Sequence, residues 1–483
     1  MILNKQAEHA QVATLEGGHG VMGSEYKSAH GRTSSQNSER YGKRGNGAPK
    51  SSEVCTFRFC ANGRILELVR NSANDSVSLL VNRDRKYRIV DRYEDNGRVL
   101  IPPRIEKGLL KSIQLPSHPR KFGSSYDLLL ELASHAEHHV TLPFQSLMLV
   151  SAFVLSTWLA DRFPRAPYLS VFGPLGSGKT QLLQFLSCCC RRPLLLTDVT
   201  PAGLYSLVDA LQLTLIIDEC EFGRDQKTSD LLRLLRGGHT AGSSIFRGHR
   251  DYNLYGPKVI ASRGPIRDAA LASRAIQISM SRSHASVPPL DPERLRKLAA
   301  ILQPKLLAFR LVNYRIPLPL DADLRFLTPR SRDLARALAA PLHGHLEQQK
   351  MIVRYLMMQD NDLRTQQMQE PELLVLDALF QGCHAPAQYI TVGGVAKIVN
   401  YYLSLYGERG KFDARFVGPK LRGLGFNTEK LGSMGYGLWL TKSVINQIHR
   451  LAQEYRLTLN EEIRYYYGCP ICYPKPQSSE QKA

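Results

Sequence analysis

The first residues, MILNKQAEHA, lack the apolar run of a secretory signal, so the expectation is a chain that stays in the cytoplasm. Cysteine is sparse as well. Nine cysteines in 483 residues exclude a small disulfide scaffold, and three of them, Cys188, Cys189 and Cys190, are adjacent and awkward to pair. The reading is a reducing compartment with mostly structural thiols. No internal repeat is evident. Acidic residues are outnumbered, with 43 Asp plus Glu against 63 Lys plus Arg, for a formal net charge of +20. That excess favours polyanionic partners, nucleic acid before a membrane surface. What is present is ordinary: 43% hydrophobic and 22% charged residues exclude a wholly disordered, collagen-like or fibrous chain, and the length allows about three domains.

Charge is missing altogether from Thr141 to Ala160, TLPFQSLMLVSAFVLSTWLA, a stretch long enough to span a bilayer. It also carries Pro143, Gln145, Ser146, Ser151, Ser156 and Thr157. A buried helix is therefore expected, with a membrane segment as the alternative.

The patterning divides the chain into seven parts. Residues 1–53, rich in Gly, Ser, Asn and charge, read as a disordered tail. Alternating runs over 54–118 predict a small β domain, and 119–165 a helical segment. Residues 166–282 alternate apolar strands with helices, the mark of a parallel α/β sheet. A helical lid or packing domain over 283–369 follows, then a compact unit over 370–458 and a tail over 459–483.

The strongest motif is YLSVFGPLGSGKTQLLQFL. Gly173, Pro174, Leu175, Gly176, Ser177, Gly178, Lys179 and Thr180 match the P-loop pattern in its required context of apolar strand, Gly-rich turn and helix. Glycines let backbone N–H groups wrap phosphates, and the new helix adds its positive end. Lys179 would reach the β and γ phosphates of ATP, and the Thr180 hydroxyl would ligate Mg²⁺. Downstream, LTLIIDE is an apolar strand ending in two carboxylates. Asp218 would hold Mg²⁺ through water, and Glu219 would orient and deprotonate the attacking water. The bland reading of such a pair is a solvated loop.

In order, these motifs resemble the AAA+ branch of P-loop ATPases: Lys179, then Asp218-Glu219, then KVIAS ending in Ser262, then AALASRAIQISM. The resemblance implies that Ser262, at the end of the fourth strand, senses the γ phosphate. It implies that Arg274, just before the fifth strand, reaches a neighbouring subunit's nucleotide in a homo-oligomer such as a hexameric ring. Arg274 also reads as a surface salt-bridge residue. More narrowly, TWLADRFPRAPYLSVFGPLGSGKT with TLIIDE and YGPKVIASR resembles helicase-like ATPases of phages, plasmids and integrated elements, over about residues 120 to 285. That similarity implies a DNA-directed motor or replication ATPase, with Arg330 or Arg332 of the lid as a phosphate contact.

Two segments are candidates for DNA. RGGHTAGSSIFRGHRDYNLYGPK is Gly-rich and basic, with Phe246, Tyr252 and Tyr255 interleaved, and Arg247, His249 and Arg250 are its candidate contacts. A solvated hairpin is the plainer reading. The unit over 370–458 reads as a winged helix in which Arg415, Lys420 and Arg422 face the major groove, although Pro419 strains a regular recognition helix. Such modules also mediate protein contacts. Cys469-Pro-Ile-Cys472 is a lone CxxC where a closed zinc site needs four ligands, and Cys55 and Cys60 lie in a distant sheet. No metal beyond Mg²⁺ is expected. The fold expected is thus α/β, a P-loop core with a small β domain, a helical lid and a winged helix. The function expected is Mg²⁺-dependent ATP hydrolysis coupled to DNA, against an ATP-gated regulator with slow hydrolysis or a membrane-tethered signalling ATPase.

Overall fold

The computed structural model describes residues 52–455 apart from 72–74, 84–85, 198–200, 220–225, 248, 267, 283–286, 368–370, 386 and 406–411, together with 457–459 and 471. Nearly all of the two expected tails, with Cys469 and Cys472, lies outside the described residues.

At the centre is a five-stranded, all-parallel sheet. Its strands are β1 (Tyr168–Phe172), β2 (Pro193–Leu196), β3 (Thr214–Ile217), β4 (Lys258–Ser262) and β5 (Ala275–Ser279), in the order β5-β1-β4-β3-β2. Their continuous apolar runs follow from burial on both faces, as parallel sheets require. Pairing is in register: Tyr168 lies opposite Lys258 and Ala275, and Phe172 opposite Ser262 and Ser279. The carboxyl ends of these three strands are therefore level, and so are their amino ends.

Helices cover the sheet. α1 (Ser125–Glu137) begins in a capping box between Ser124 and Asp127, and α2 (Phe144–Thr157) is the charge-free stretch. Every residue of α2 from Leu147 to Thr157 is buried, and Ser151, Ser156 and Thr157 turn their hydroxyls back onto helix carbonyls. No helix among the described residues is long and apolar enough to cross a membrane. The P-loop helix α3 (Lys179–Cys189) is followed by α4 (Pro201–Leu211), α5 (Gln226–Gly237), α6 (Pro292–Asn313), α7 (Pro329–Ala339) and α8 (Leu346–Gln367). The helices expected to form a lid share one apolar core with α1, α2, α3 and the sheet, through residues such as Phe153, Phe185, Leu302, Leu306 and Leu338.

The amino-terminal β region comprises a four-stranded antiparallel sheet (Phe57–Phe59, Ile65–Asn71, Ser76–Arg83, Lys86–Val90) and a three-stranded one (Ser52–Val54, Tyr93–Asp95, Arg98–Ile101). The four-stranded sheet lends Ile65, Val69 and Leu80 to the central core. It also lends a charge. Glu67, 2% exposed, accepts from Arg191 Nη2 at 2.9 and 3.1 Å, from Arg310 Nε at 2.6 Å and from Arg192. Arg310, fully buried in α6, also donates to both carboxylate oxygens of Asp161, at 2.8 and 2.6 Å, and stacks on Phe57 at 4.2 Å. Burial by itself would raise the pKa of Glu67, but Arg191, Arg192 and Arg310 outweigh it and hold the carboxyl well below the usual range.

Cys55, Cys60, Cys188, Cys189 and Cys190 are buried and form no disulfide, and burial pushes the Cys188 thiol up to about 12. The carbonyls at the end of α3 are capped from outside the helix, Cys189 by Trp158 Nε1 at 2.8 Å and Cys188 by Gln303 Nε2 at 2.9 Å.

At the carboxyl side, α9 (Pro371–Gly382), α10 (Val392–Leu405), α11 (Ala414–Gly423) and α12 (Lys442–Glu454) enclose a separate core of residues such as Leu376, Val395, Val417 and Ile448. A three-stranded antiparallel sheet joins Tyr389–Thr391, Tyr436–Trp439 and Glu429–Lys430. The elements fall in the order expected from the sequence of this unit. α11 runs through Pro419, which sits exposed and costs one backbone hydrogen bond, because Asp413 caps the helix start and Val417 and Leu421 anchor its inner face.

Glu67→Ala should lower stability by about 3–5 kcal/mol, since it leaves buried guanidinium groups without their carboxylate. Denaturant unfolding followed by circular dichroism measures this. The sign with pH follows from the depressed pKa. Glu67's contribution is complete above its ordinary value of 4.5 and is lost as pH falls below that toward the folded-state value. The difference between wild type and variant should therefore shrink on acidification.

Candidate nucleotide site

The turn between β1 and α3 is set by glycine. Gly176 and Gly178 adopt φ of +76° and +86°, the left-handed region that side chains disfavour. At Gly173 the constraint is contact: an added Cβ would lie 2.1 Å from the Met280 carbonyl oxygen, just past the end of β5. The loop is pinned from that side too, since Met280 N donates to Phe172 O at 2.8 Å and Arg282 Nε to Leu175 O at 3.1 Å.

A cavity of about 570 Å³ opens here, lined by the loop from Leu175 to Gln181 and by Asp218, Glu219, Ser262 and Arg263. The level strand ends bring these segments together. Lys179 Nζ donates to the carbonyls of Gly173 and Pro174 at 2.7 and 2.9 Å, which folds the ammonium over the loop. Thr180 Oγ1 donates to Asp218 Oδ2 at 3.2 Å, and the other Asp218 oxygen accepts from Glu219 N at 2.9 Å. Asp218 is buried, while Glu219 is exposed at the cavity lip with φ +51°, a strained conformation for a side-chain-bearing residue. Ser262 turns its hydroxyl onto Gly264 O at 2.7 Å.

The residues suit a nucleoside triphosphate with Mg²⁺. Ser177 Oγ is buried in the loop without a hydrogen-bond partner, a donor suited to a phosphate oxygen. Thr180 and Asp218 place hydroxyl and carboxylate oxygens side by side, the hard donors Mg²⁺ prefers. Arg263 and Gln181 line the cavity and did not emerge from the sequence reading. The adjacency of Arg263 to Ser262 was the available signal.

Other predicted residues lie elsewhere. Arg274 immediately precedes Ala275, the partner of Tyr168, and so stands at the amino end of the sheet, about 15 Å of strand from the P-loop. It donates to Arg236 O at 2.8 Å. Arg330 contacts Ser273 beside it. Arg332 braces the carbonyls of Leu324 and Leu327 at 3.2 and 3.1 Å, so neither arginine of the α7 start lines the cavity.

The basic segment after α5 is an antiparallel hairpin, Ser244–Arg247 with Arg250–Asn253. Arg247 pairs with Asp230 and Arg250 with Asp209, both at 3.1 Å, which offsets the charge offered to a polyanion. Of the three aromatics only Phe246 projects, at 72% exposure; Tyr252 packs against Tyr205, and the Tyr255 hydroxyl donates to Ala160 O at 2.7 Å and Phe163 O at 2.6 Å. His249 is exposed. On α11, Arg415 and Arg422 are exposed, while Lys420 pairs with Glu372 of α9 and lies over Phe416.

No protein-family model and no curated protein matches the sequence. Among solved structures, the chain is similar to an apo form of the NrS-1 C-terminal region at TM-score 0.34 and 10% identity, over 77% of this chain and 96% of that one. A full-length MCM homolog from Methanopyrus kandleri is similar at 0.32 and 12%, over 61% and 76%. The JCV helicase is similar at 0.25 and 17%, over 50% and 63%. TM-scores of this size leave the chemistry to be argued from the site itself.

Gly173→Ala should abolish nucleotide binding, because relief of the clash with Met280 O requires the loop backbone to move. Fluorescence titration with an ATP analogue measures the loss, and circular dichroism separates it from unfolding.

Proposed function

We propose that the chain is a Mg²⁺-dependent ATPase that couples hydrolysis to DNA binding or remodelling, as a helicase-like, replication or mobile-element ATPase. One observation carries the reading: Thr180 and Asp218 lie 3.2 Å apart beside Lys179, with Glu219 at the lip of the same cavity. In this reading Lys179 exchanges its two carbonyl acceptors for the β and γ phosphates, and the loop N–H groups and Ser177 hydroxyl bind the remaining phosphate oxygens. Thr180 directly and Asp218 through water would hold Mg²⁺, which would neutralise phosphate charge. Glu219 orients a water and takes its proton, and Ser262 holds the far side of the γ phosphate. Arg274, too far from its own cavity, serves the site of a neighbouring copy in a ring.

A second reading, an ATP-gated regulator with slow hydrolysis, is favoured by the Arg247–Asp230 and Arg250–Asp209 pairs, which leave the hairpin little unbalanced charge to couple DNA to turnover. ATPase rates of the purified chain with and without single- and double-stranded DNA separate the two. Stimulation is expected for the motor; a slow rate indifferent to DNA would favour the regulator.

Lys179→Ala should abolish ATP binding, whereas Glu219→Gln should retain it and slow hydrolysis by about 10²–10⁴. Equal loss of binding in both variants, measured by equilibrium titration, would contradict the two roles. In the winged helix, Arg415 and Arg422 are the exposed cations, and each lost phosphate contact lowers the salt slope of log K by about 0.9. Replacing both by Ala should reduce that slope by about 1.8. An unchanged slope for duplex binding would favour a protein-contact role for this unit.

A further inference from the structure

The winged-helix unit carries a buried cluster that the nucleotide chemistry does not use. Cys383 and His384 follow α9 directly, and His449 projects from α12 into the same place. All three are buried, at 5%, 2% and 5% exposure, in a core otherwise built from Leu376, Leu379, Val395 and Ile448. One ligand atom from each lies within 4.8 Å of the other two. Two imidazoles and a thiol are thus gathered in an otherwise aliphatic core.

Their orientation points to a shared use. His384 Nδ1 lies 2.7 Å from Phe380 O and His449 Nδ1 2.8 Å from Ile445 O, each a carbonyl four residues back. Cys383 Sγ lies 3.5 Å from the same His384 Nδ1. With Nδ1–H of each ring turned to a backbone carbonyl, Nε2 is the basic nitrogen, as in many metal-ligating histidines. The two rings are 5.0 Å apart, and Phe380 packs edge-on against both, which holds them in place.

We propose that Cys383, His384 and His449 bind a zinc ion that fastens α12 to the end of α9. A thiolate with two imidazoles is a borderline-soft donor set that suits Zn²⁺ and not the oxygen-seeking Mg²⁺ of the P-loop. Tetrahedral zinc with Zn–N of about 2.0 Å and Zn–S of about 2.3 Å has ligand-to-ligand edges of roughly 3.3–3.6 Å. Binding releases the Cys383 thiol proton, and with it the Sγ–H contact to Phe380 O at 3.1 Å. The fourth position would be open to water. The site would stabilise the unit without taking part in hydrolysis.

Elemental analysis of the full chain, purified without chelators, should find about one zinc per chain. After exchange for Co²⁺, a near-ultraviolet thiolate-to-metal charge-transfer band should appear with visible d–d bands. Cys383→Ser should lose the charge-transfer band and His449→Gln should weaken retention of the metal, while both still bind an ATP analogue at the P-loop. Should a variant fail to fold, the wild-type chain supplies the test: chelation should lower its unfolding temperature and zinc should restore it. A chain that carries no zinc and develops no Co²⁺ chromophore overturns the proposal, as does a Cys383→Ser variant with unchanged metal content and spectrum, or an unfolding temperature indifferent to chelation and zinc.

Discussion

The orientation of the P-loop helix depends on one buried carboxylate. Arg191 and Arg192 begin the chain segment that leaves the end of α3, and both reach Glu67 in the amino-terminal sheet, where Arg310 of α6 also arrives. With Asp161 the group holds three cations and two anions, all withdrawn from water or nearly so. Such a cluster is tolerated only when its hydrogen bonds are made. α3 has 11 residues and so spans about 16 Å, a short rigid rod. Fixing its carboxyl end by ion pairs, and capping its last carbonyls with Trp158 and Gln303, leaves its amino end to present Lys179 and Thr180. The small β region thereby supports the nucleotide site without touching it.

The in-register sheet separates two chemistries. At the carboxyl ends lie the Gly-rich loop, Asp218 and Ser262, with hydroxyls, carboxylates and an ammonium around one cavity. At the amino ends lie Tyr168, His239, Lys258 and Arg274. Lys258 is buried there, its ammonium donating to Gly238, Leu254 and Gly256 carbonyls at 3.3, 3.0 and 2.9 Å, and burial pulls its pKa down to about 7. His239 is held neutral by burial, at about 4. These groups close the floor of the sheet, and Arg274 stands at its edge, half-buried and donating to Arg236 O.

The hairpin after α5 and the helix α11 show how charge changes meaning in a folded chain. Both are basic in sequence. In the hairpin each arginine meets an aspartate from a neighbouring helix, while on α11 Lys420 is taken up by Glu372 and Arg415 and Arg422 remain exposed. The +20 net charge therefore does not spread evenly over the candidate contacts.

What the sequence determined by itself was local. The P-loop, its flanking strand and helix, the acidic end of β3, the charge-free helix α2 and the element order of the carboxyl unit were all legible, because periodicity, glycine placement and capping act over a few residues. Tertiary structure alone decided the fate of groups whose partners are distant in the chain. Glu67 and Arg310 are 243 residues apart, and Cys383 and His449 meet only because α9 and α12 pack. It merged the expected lid or packing domain with the central core, turned Tyr255 into a half-buried brace, and placed Arg274 at the far end of the sheet from its own P-loop. The physical reason is one of range: backbone preference is written in neighbouring residues, whereas ion pairing, ligand convergence and burial depend on which surfaces the fold brings together.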